Sequence, residues 1–328
     1  MRLRPASLCS TLGKADFIRV PLPAAMTTTF NAVSFFTRLL TRAIKPAIIG
    51  VALLALTACS AVRLGYNNAP QLAWWSADGY LDFNQAQTPA VKQALDTFFE
   101  WHRSTQLVDY AALLVAVQAS VLEPTTPAAT CRWYAQVRER VEPSIDRLTS
   151  QAAELIPTLG EAQFKHLEGR QAKGLEELRR DFLQDSSEER LARSVKRTTE
   201  RFEQLYGKLD DAQRRVISAG VAASPFDAQV WLAERQRRQR DVLSSLRRLV
   251  AEKADREQRT AALRAMAERT ERSVDPSYRA YQQRLAEFNC SLAAQVHNAT
   301  TPAQRARAKQ RLRGWEEDLR SLIAPPPS

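Results

Sequence analysis

Apolar residues recur every three or four positions along most of this chain, and the two-residue alternation of a strand is nearly absent. Ala, Leu, Arg, Glu and Gln, all strong helix formers, dominate between the breaks. Asn67–Phe83 is an aromatic-rich segment with Trp74, Trp75, Tyr80 and Phe83. Thr88-Pro89 predicts a helix start, with Thr at the cap and Pro in the first turn. Val91, Leu95, Phe98, Phe99 and His102 then share one helix face. An apolar helix follows over Tyr110–Leu122 and stops at Glu123-Pro124-Thr125-Thr126-Pro127. The next helix runs from about Ala128 to Ile156, with Pro143 inside it as an expected kink.

Later punctuation predicts helices over Glu161–Leu183, Glu188–Tyr206 and Asp210–Ala222. A long charged stretch spans Phe226 to about Arg272, with an interruption near Lys253–Asp255. Asp275-Pro276 and Thr301-Pro302 cap the last two helices, whose near-heptad spacing suits antiparallel neighbours. The expected fold is therefore all-α: an elongated multi-helix bundle of antiparallel helices, with two sub-bundles dividing near 224 as one way to partition it.

The N-terminal pattern is different. Arg38, Arg42 and Lys45 precede an uncharged apolar run, Ala47–Leu56, and then Leu56-Thr57-Ala58-Cys59. A basic region, a short apolar region and a small-residue cleavage site make a secretory signal. The apolar run is about half of the ~20 residues a spanning helix needs. Leu-Thr-Ala-Cys resembles the bacterial lipobox, which implies cleavage after Ala58 and acylation of Cys59. One acyl chain binds a membrane marginally, whereas two or more hold it stably. Ser60 follows instead of Asp, and by resemblance to sorted lipoproteins this implies the outer membrane. Residues 1–58 are read as leader and signal peptide, with Met26 as the expected start, and 59–328 as the mature helical domain.

Removing the leader changes the charge picture. It holds seven of the 47 basic residues and one of the 36 acidic ones, so the remainder carries 40 against 35, a net +5 in place of +11. Both signs alternate along the helices, as on solvated faces, and no nucleic-acid partner is expected. Arg235, Arg237, Arg238 and Arg240 are the strongest basic run. A solvated helix face is the expectation there, and an anionic lipid head group the alternative. Trp74 and Trp75 suit either a membrane interface or a core. With Cys9 in the leader and Cys59 acylated, Cys131 and Cys290 remain. In an oxidising compartment they are disulfide candidates, and two buried thiols are the alternative.

No chemistry-bearing motif stands out. His102, His166 and His297 are scattered, and His-Glu-x-x-His, Cys-x-x-Cys, Gly-x-Ser-x-Gly and phosphate-cradling loops are missing. No catalytic residue, metal ligand or cofactor is therefore assigned. His102, in Glu100-Trp101-His102-Arg103, reads as a hydrogen-bonded core histidine, with an unrecognised enzyme site as the alternative. Leu159-Gly-Glu-Ala-Gln163, Leu209-Asp-Asp-Ala-Gln213 and Thr300-Thr-Pro-Ala-Gln304 echo one another at helix starts. Shared capping chemistry explains them. They also resemble the Leu-Thr-x-x-Gln motif of small helical periplasmic chaperones, although only Thr301 supplies its Thr.

Taken in order, several short elements resemble a family of proteobacterial lipoproteins of unknown function. They are the lipobox, Gly65-Tyr66-Asn67-Asn68, Trp74, Asp78-Gly-Tyr80-Leu-Asp82, Trp101-His102-Arg103 with Leu107 and Tyr110, and Thr301-Pro-Ala-Gln304-Arg305 leading to Leu312 and Leu319. The resemblance implies fold and address and supplies no reaction. The resulting expectation is a lipid-anchored envelope protein facing the periplasm, non-enzymatic and interaction- or chaperone-like. Its partners would be membrane lipid through acylated Cys59 and an envelope protein.

Overall fold

The computed structural model describes residues 61–184 and 186–323. The expected signal segment and Cys59 lie outside them. Every regular element among the described residues is helical. Helices α1 (Ala61–Asn67) and α2 (Ala69–Leu81) lead into α3 (Thr88–Trp101). One π-helical stretch, His102–Gln106, joins α3 to α4 (Leu107–Ser120). Then come α5 (Pro127–Leu155), a 3-10 turn (Ile156–Thr158), α6 (Glu161–Phe182) and α7 (Ser187–Tyr206). The chain finishes with α8 (Asp211–Ala222), α9 (Ala228–Ala251), α10 (Arg256–Glu271), α11 (Pro276–Asn298) and α12 (Pro302–Ile323).

The 29-residue helix α5 is the spine, roughly 44 Å long at 1.5 Å per residue. Thr126 caps it by accepting from Ala129 N, and it continues through Pro143 as one helix. On one side it runs antiparallel to α3 and α4: Gln151 donates to Ala94 O, Arg140 pairs with Asp109, and Tyr110 Oη donates to Arg140 O. On the other it runs antiparallel to α11 and then α10. Thr125 meets Asn298, Arg138 meets Glu271, Asp146 meets Arg264 and Glu154 meets Arg256. Cys131 and Cys290 form a disulfide on that seam, with Cα atoms 5.4 Å apart, inside the usual range for a bridge.

Two large apolar clusters fill the bundle. One collects Leu107 and Leu114 of α4, Phe202 of α7, Ile217 of α8, Val296 of α11 and Leu319 of α12. The other joins Ala153 of α5, Phe164 and Leu167 of α6, Leu246 of α9 and Leu263 of α10. Each cluster draws on residues from both sides of 224. Gly220 lets α8 approach α11 closely, because a Cβ there would collide with the Leu292 side chain. The charged stretch 226–272 is two helices. They are separated at Lys253, which takes a positive φ of 50°, and Asp255 caps the second with a Gln258 capping box.

The disulfide closes a loop of 159 residues, for which the chain-entropy model gives a ceiling of about 5 kcal/mol. The Cys131→Ser/Cys290→Ser double variant should lose about 2–5 kcal/mol of unfolding free energy in urea. An unchanged denaturation midpoint would show that the α5–α11 seam holds without its covalent link.

Candidate functional site

The helix-start glutamines come together in pairs. Gln87 and Gln163 hydrogen-bond reciprocally, amide to amide, at 3.1 and 2.9 Å, and Gln213 and Gln304 do the same at 2.7 and 3.0 Å. Each glutamine also closes its own helix start. The Oε1 atoms of Gln87, Gln163, Gln213 and Gln304 accept from the backbone N–H of Asn84, Gly160, Asp210 and Thr301 respectively. The second Nε2 protons reach carbonyls across the junction. Gln163 donates to Leu81 O and Gln87 to Thr158 O, while Gln304 donates to Lys208 O and Gln213 to Ala299 O. The first junction therefore repeats as the second. In each, two helix N-termini meet and a glutamine from each caps itself and its partner.

Part of this was missed in the sequence. Asn84-Gln85-Ala86-Gln87 is the fourth member of the set, and the helix start at α3 belongs to it, not to Thr88. Asn84 Oδ1 accepts from Ala86 N and Gln87 N, and the Thr88 hydroxyl donates back to Asn84 O. The signal was an Asx followed three residues later by Gln, the composition of a capping box.

His102 sits in an aromatic nest. Tyr66 Oη lies 2.8 Å from its Nδ1, and Phe98, Phe99, Trp101 and Tyr110 surround the ring. Burial pushes the His102 pKa down to about 4 and the Tyr66 pKa up to about 12. The phenol therefore stays protonated and donates to a neutral imidazole. The same device recurs at Tyr206 Oη and His297 Nδ1, also 2.8 Å apart. There the ring's Nε2–H donates to Glu123 O, and burial again lowers the histidine pKa. A base this weak beside an acid this weak is poorly matched to proton transfer near neutral pH. Arg103, next along, stacks on Tyr66 at 5.2 Å, donates to Asn67 Oδ1 and reaches Leu322 O at the end of α12. The nest thus ties the first and last described helices to the π-turn. His166 is remote from it and contacts Gly79 O.

Among the described residues no group of three or more His, Cys, Asp or Glu side chains is arranged to hold a metal ion. No helix among them is long and apolar enough to cross a membrane. The model of a family of unknown function, DUF6279, matches residues 79–279, more than half of the chain. The chain belongs to this family. No curated protein and no solved structure matches it. The DUF6279 match spans Gln87–Gln163, His102 and the Arg235–Arg240 run. Tyr66 and Gln304 lie outside it, so the His102 nest and the second junction are completed by residues beyond the matched segment.

The basic run is a correction to the solvated face expected for it. Arg237 and Arg238 both pair with Glu234, which is buried within α9, at 2.7 and 2.9 Å. Arg238 also lies over the Tyr278 ring and Arg235 over the Trp231 ring. The chain thus uses the run for internal packing, and only Arg240 of the four is exposed. Trp74 stacks on Phe83 under Lys92, while Trp75 is exposed.

Gln213→Ala strands the Asp210 N–H, the Ala299 carbonyl and one side of Gln304, and should cost roughly 2–3 kcal/mol of stability. In a double-mutant cycle with Gln304→Ala, a coupling of about 1 kcal/mol or more is expected from urea unfolding. Additive losses would mean that the two caps act independently.

His102 is held neutral in the fold and titrates normally when unfolded. Its contribution is therefore complete above pH 6.5 and is lost as the pH falls from 6.5 towards about 4. Allowing for its partly exposed ring, unfolding free energy should drop by about 1–2 kcal/mol between pH 7 and 5. His102→Gln should flatten that slope, and an unaltered pH profile in the variant would remove the assignment.

Proposed function

We propose that this DUF6279 protein is a lipid-anchored envelope protein that works without catalysis, by binding other proteins through helical surfaces. The reading places acylated Cys59 in the outer membrane and the helical bundle on the periplasmic side. The order of the N-terminal segment supports the anchor: basic stretch, apolar run and Leu-Thr-Ala-Cys59. The disulfide is in keeping with an oxidising compartment.

The observation that carries the binding role is the outer face of α4. Leu107, Ala111, Leu114 and Gln118 bury its inner face. The opposite face keeps Val108 50 % and Val115 45 % exposed, with Ala112 and Ala119 also exposed, and the row continues to Leu122, 39 % exposed in the turn that follows the helix. The spacing of four, three, four and three residues is that of a helix-docking seam. A contiguous apolar surface of this kind marks a contact site for another protein. An extended or helical apolar segment, from a folded partner or a non-native client, has the matching chemistry. The His102 nest supports an enzymatic reading less well, since its geometry recurs at His297 as a buried packing device.

The test uses the anchored full chain in cells, with a photo-crosslinking residue at position 115 and a control at exposed Glu257. Adducts specific to position 115 are expected, reduced several-fold by Val108→Asp. Cys59→Ser should abolish acyl labelling and release the protein from the membrane fraction. Absence of adducts at 115 would remove the binding role, and retained acyl labelling in Cys59→Ser would remove the anchor.

A further inference from the structure

Away from α4, a cavity of about 210 Å³ opens between α7, the end of α6, the segment before α9, and α11. One face of α7 lines it with Arg190, Ser194, Arg197 and Arg201, at spacings of four, three and four. The facing wall is mainly apolar, formed by Phe182, Val221, Phe226, Leu285 and Leu292 with Ser224 and Asn289 among them. Three guanidiniums thus line one side of this cavity across from aromatic and aliphatic side chains.

The central cation is Arg197. Its Nη2 donates to Ser194 Oγ at 2.9 Å and its guanidinium lies over the Phe182 ring, 4.7 Å from the centroid. It makes no ion pair among the described residues. Burial lowers its pKa most, and the like charge of Arg201 lowers it further, against the pull of Asp181 and Glu200. Burial lowers Arg201 as well. Two cations one turn apart repel each other, and removal from water costs each of them. An oxyanion seated between them would relieve both effects through charge-assisted hydrogen bonds. Arg190 reaches across to the Gln184 carbonyl and braces that side of the cavity.

The size and lining select the rest of the ligand. An apolar cavity of about 150 Å³ accommodates benzene, so this one has room for an aromatic ring or a medium-length acyl chain. Asp181 and Glu200 already act on Arg197, which favours a single negative charge over two.

We propose that this cavity binds a small amphipathic carboxylate, its head between Arg197 and Arg201 and its apolar body against Phe182, Phe226, Leu285 and Leu292. The site is separate from the α4 surface, so it stands or falls independently of the protein-binding reading.

The experiment is calorimetric titration of the full chain carrying Cys59→Ser, which keeps acyl groups out of the assay. The probes are octanoate, 1-octanol and inorganic phosphate. Saturable binding of one octanoate per chain is expected, weakened by salt, with 1-octanol and phosphate each about tenfold weaker or more, since a charge-assisted contact of roughly 1.5 kcal/mol corresponds to that factor. Arg197→Gln should lose about tenfold, and Arg197→Lys should recover part of it. No saturable octanoate binding would overturn the proposal. So would 1-octanol binding equally well, which would leave only an apolar void, or phosphate binding equally well, which would leave only an anion site. Unchanged affinity in an Arg197→Gln variant that melts like the parent would also overturn it. The three-probe comparison needs only the parent chain, so it decides the matter even if that variant fails to fold.

Discussion

Two helix N-termini brought nose to nose present eight unsatisfied backbone N–H groups and two positive dipole ends to one another. This bundle makes that arrangement twice, and both times the solution is a pair of primary amides. A glutamine amide has two donor protons and an oxygen with two lone pairs. At each junction both Oε1 atoms accept from their own cap and from the partner amide, and both Nε2 groups donate to the partner and to a carbonyl. Nothing is left over. Glutamate would lack the donors and leucine would lack everything, so amide chemistry is what allows α3 to meet α6 and α8 to meet α12.

The second constraint is the α5 spine. Because it is long, its two ends lie in different surroundings: its N-terminal part is bridged to α11, and Ala153 near its C-terminus packs into the cluster with α6, α9 and α10. The bundle is therefore interleaved, with each apolar cluster built from segments far apart in the chain. The Tyr–His pairs serve the same end. Each satisfies a polar ring inside an aromatic or apolar setting, where an unpaired donor or acceptor would be costly.

Surfaces that the packing does not consume are where a role can reside. Helix α4 is apolar on both faces yet buries only one, against α12 and its neighbours. The face of α7 that lines the cavity carries cations towards a wall of aromatic and aliphatic carbons. Each has a distinct complementary chemistry: an apolar segment for the first and an amphipathic anion for the second.

Helix content, most helix boundaries and the capping residues Asp275 and Thr301 follow from local rules, and these were legible in the chain. So was the amphipathic face with Phe98 and His102, because helical periodicity is a property of neighbours in sequence. Pairing was not legible. The Gln-bearing starts at Asn84, Gly160, Asp210 and Thr301 each carry a local signal, but which met which depended on contacts 76 and 91 residues apart. The Arg235–Arg240 run looked solvated because charge patterning says nothing about a buried Glu234 one turn away on the same helix. The sequence by itself determined that this chain is helical and where most of its helices begin. Tertiary structure alone decided which helix origins share a cap, which apolar stripe stays exposed, and which cations face a cavity, because those outcomes depend on the distance between elements and not on the order of residues within them.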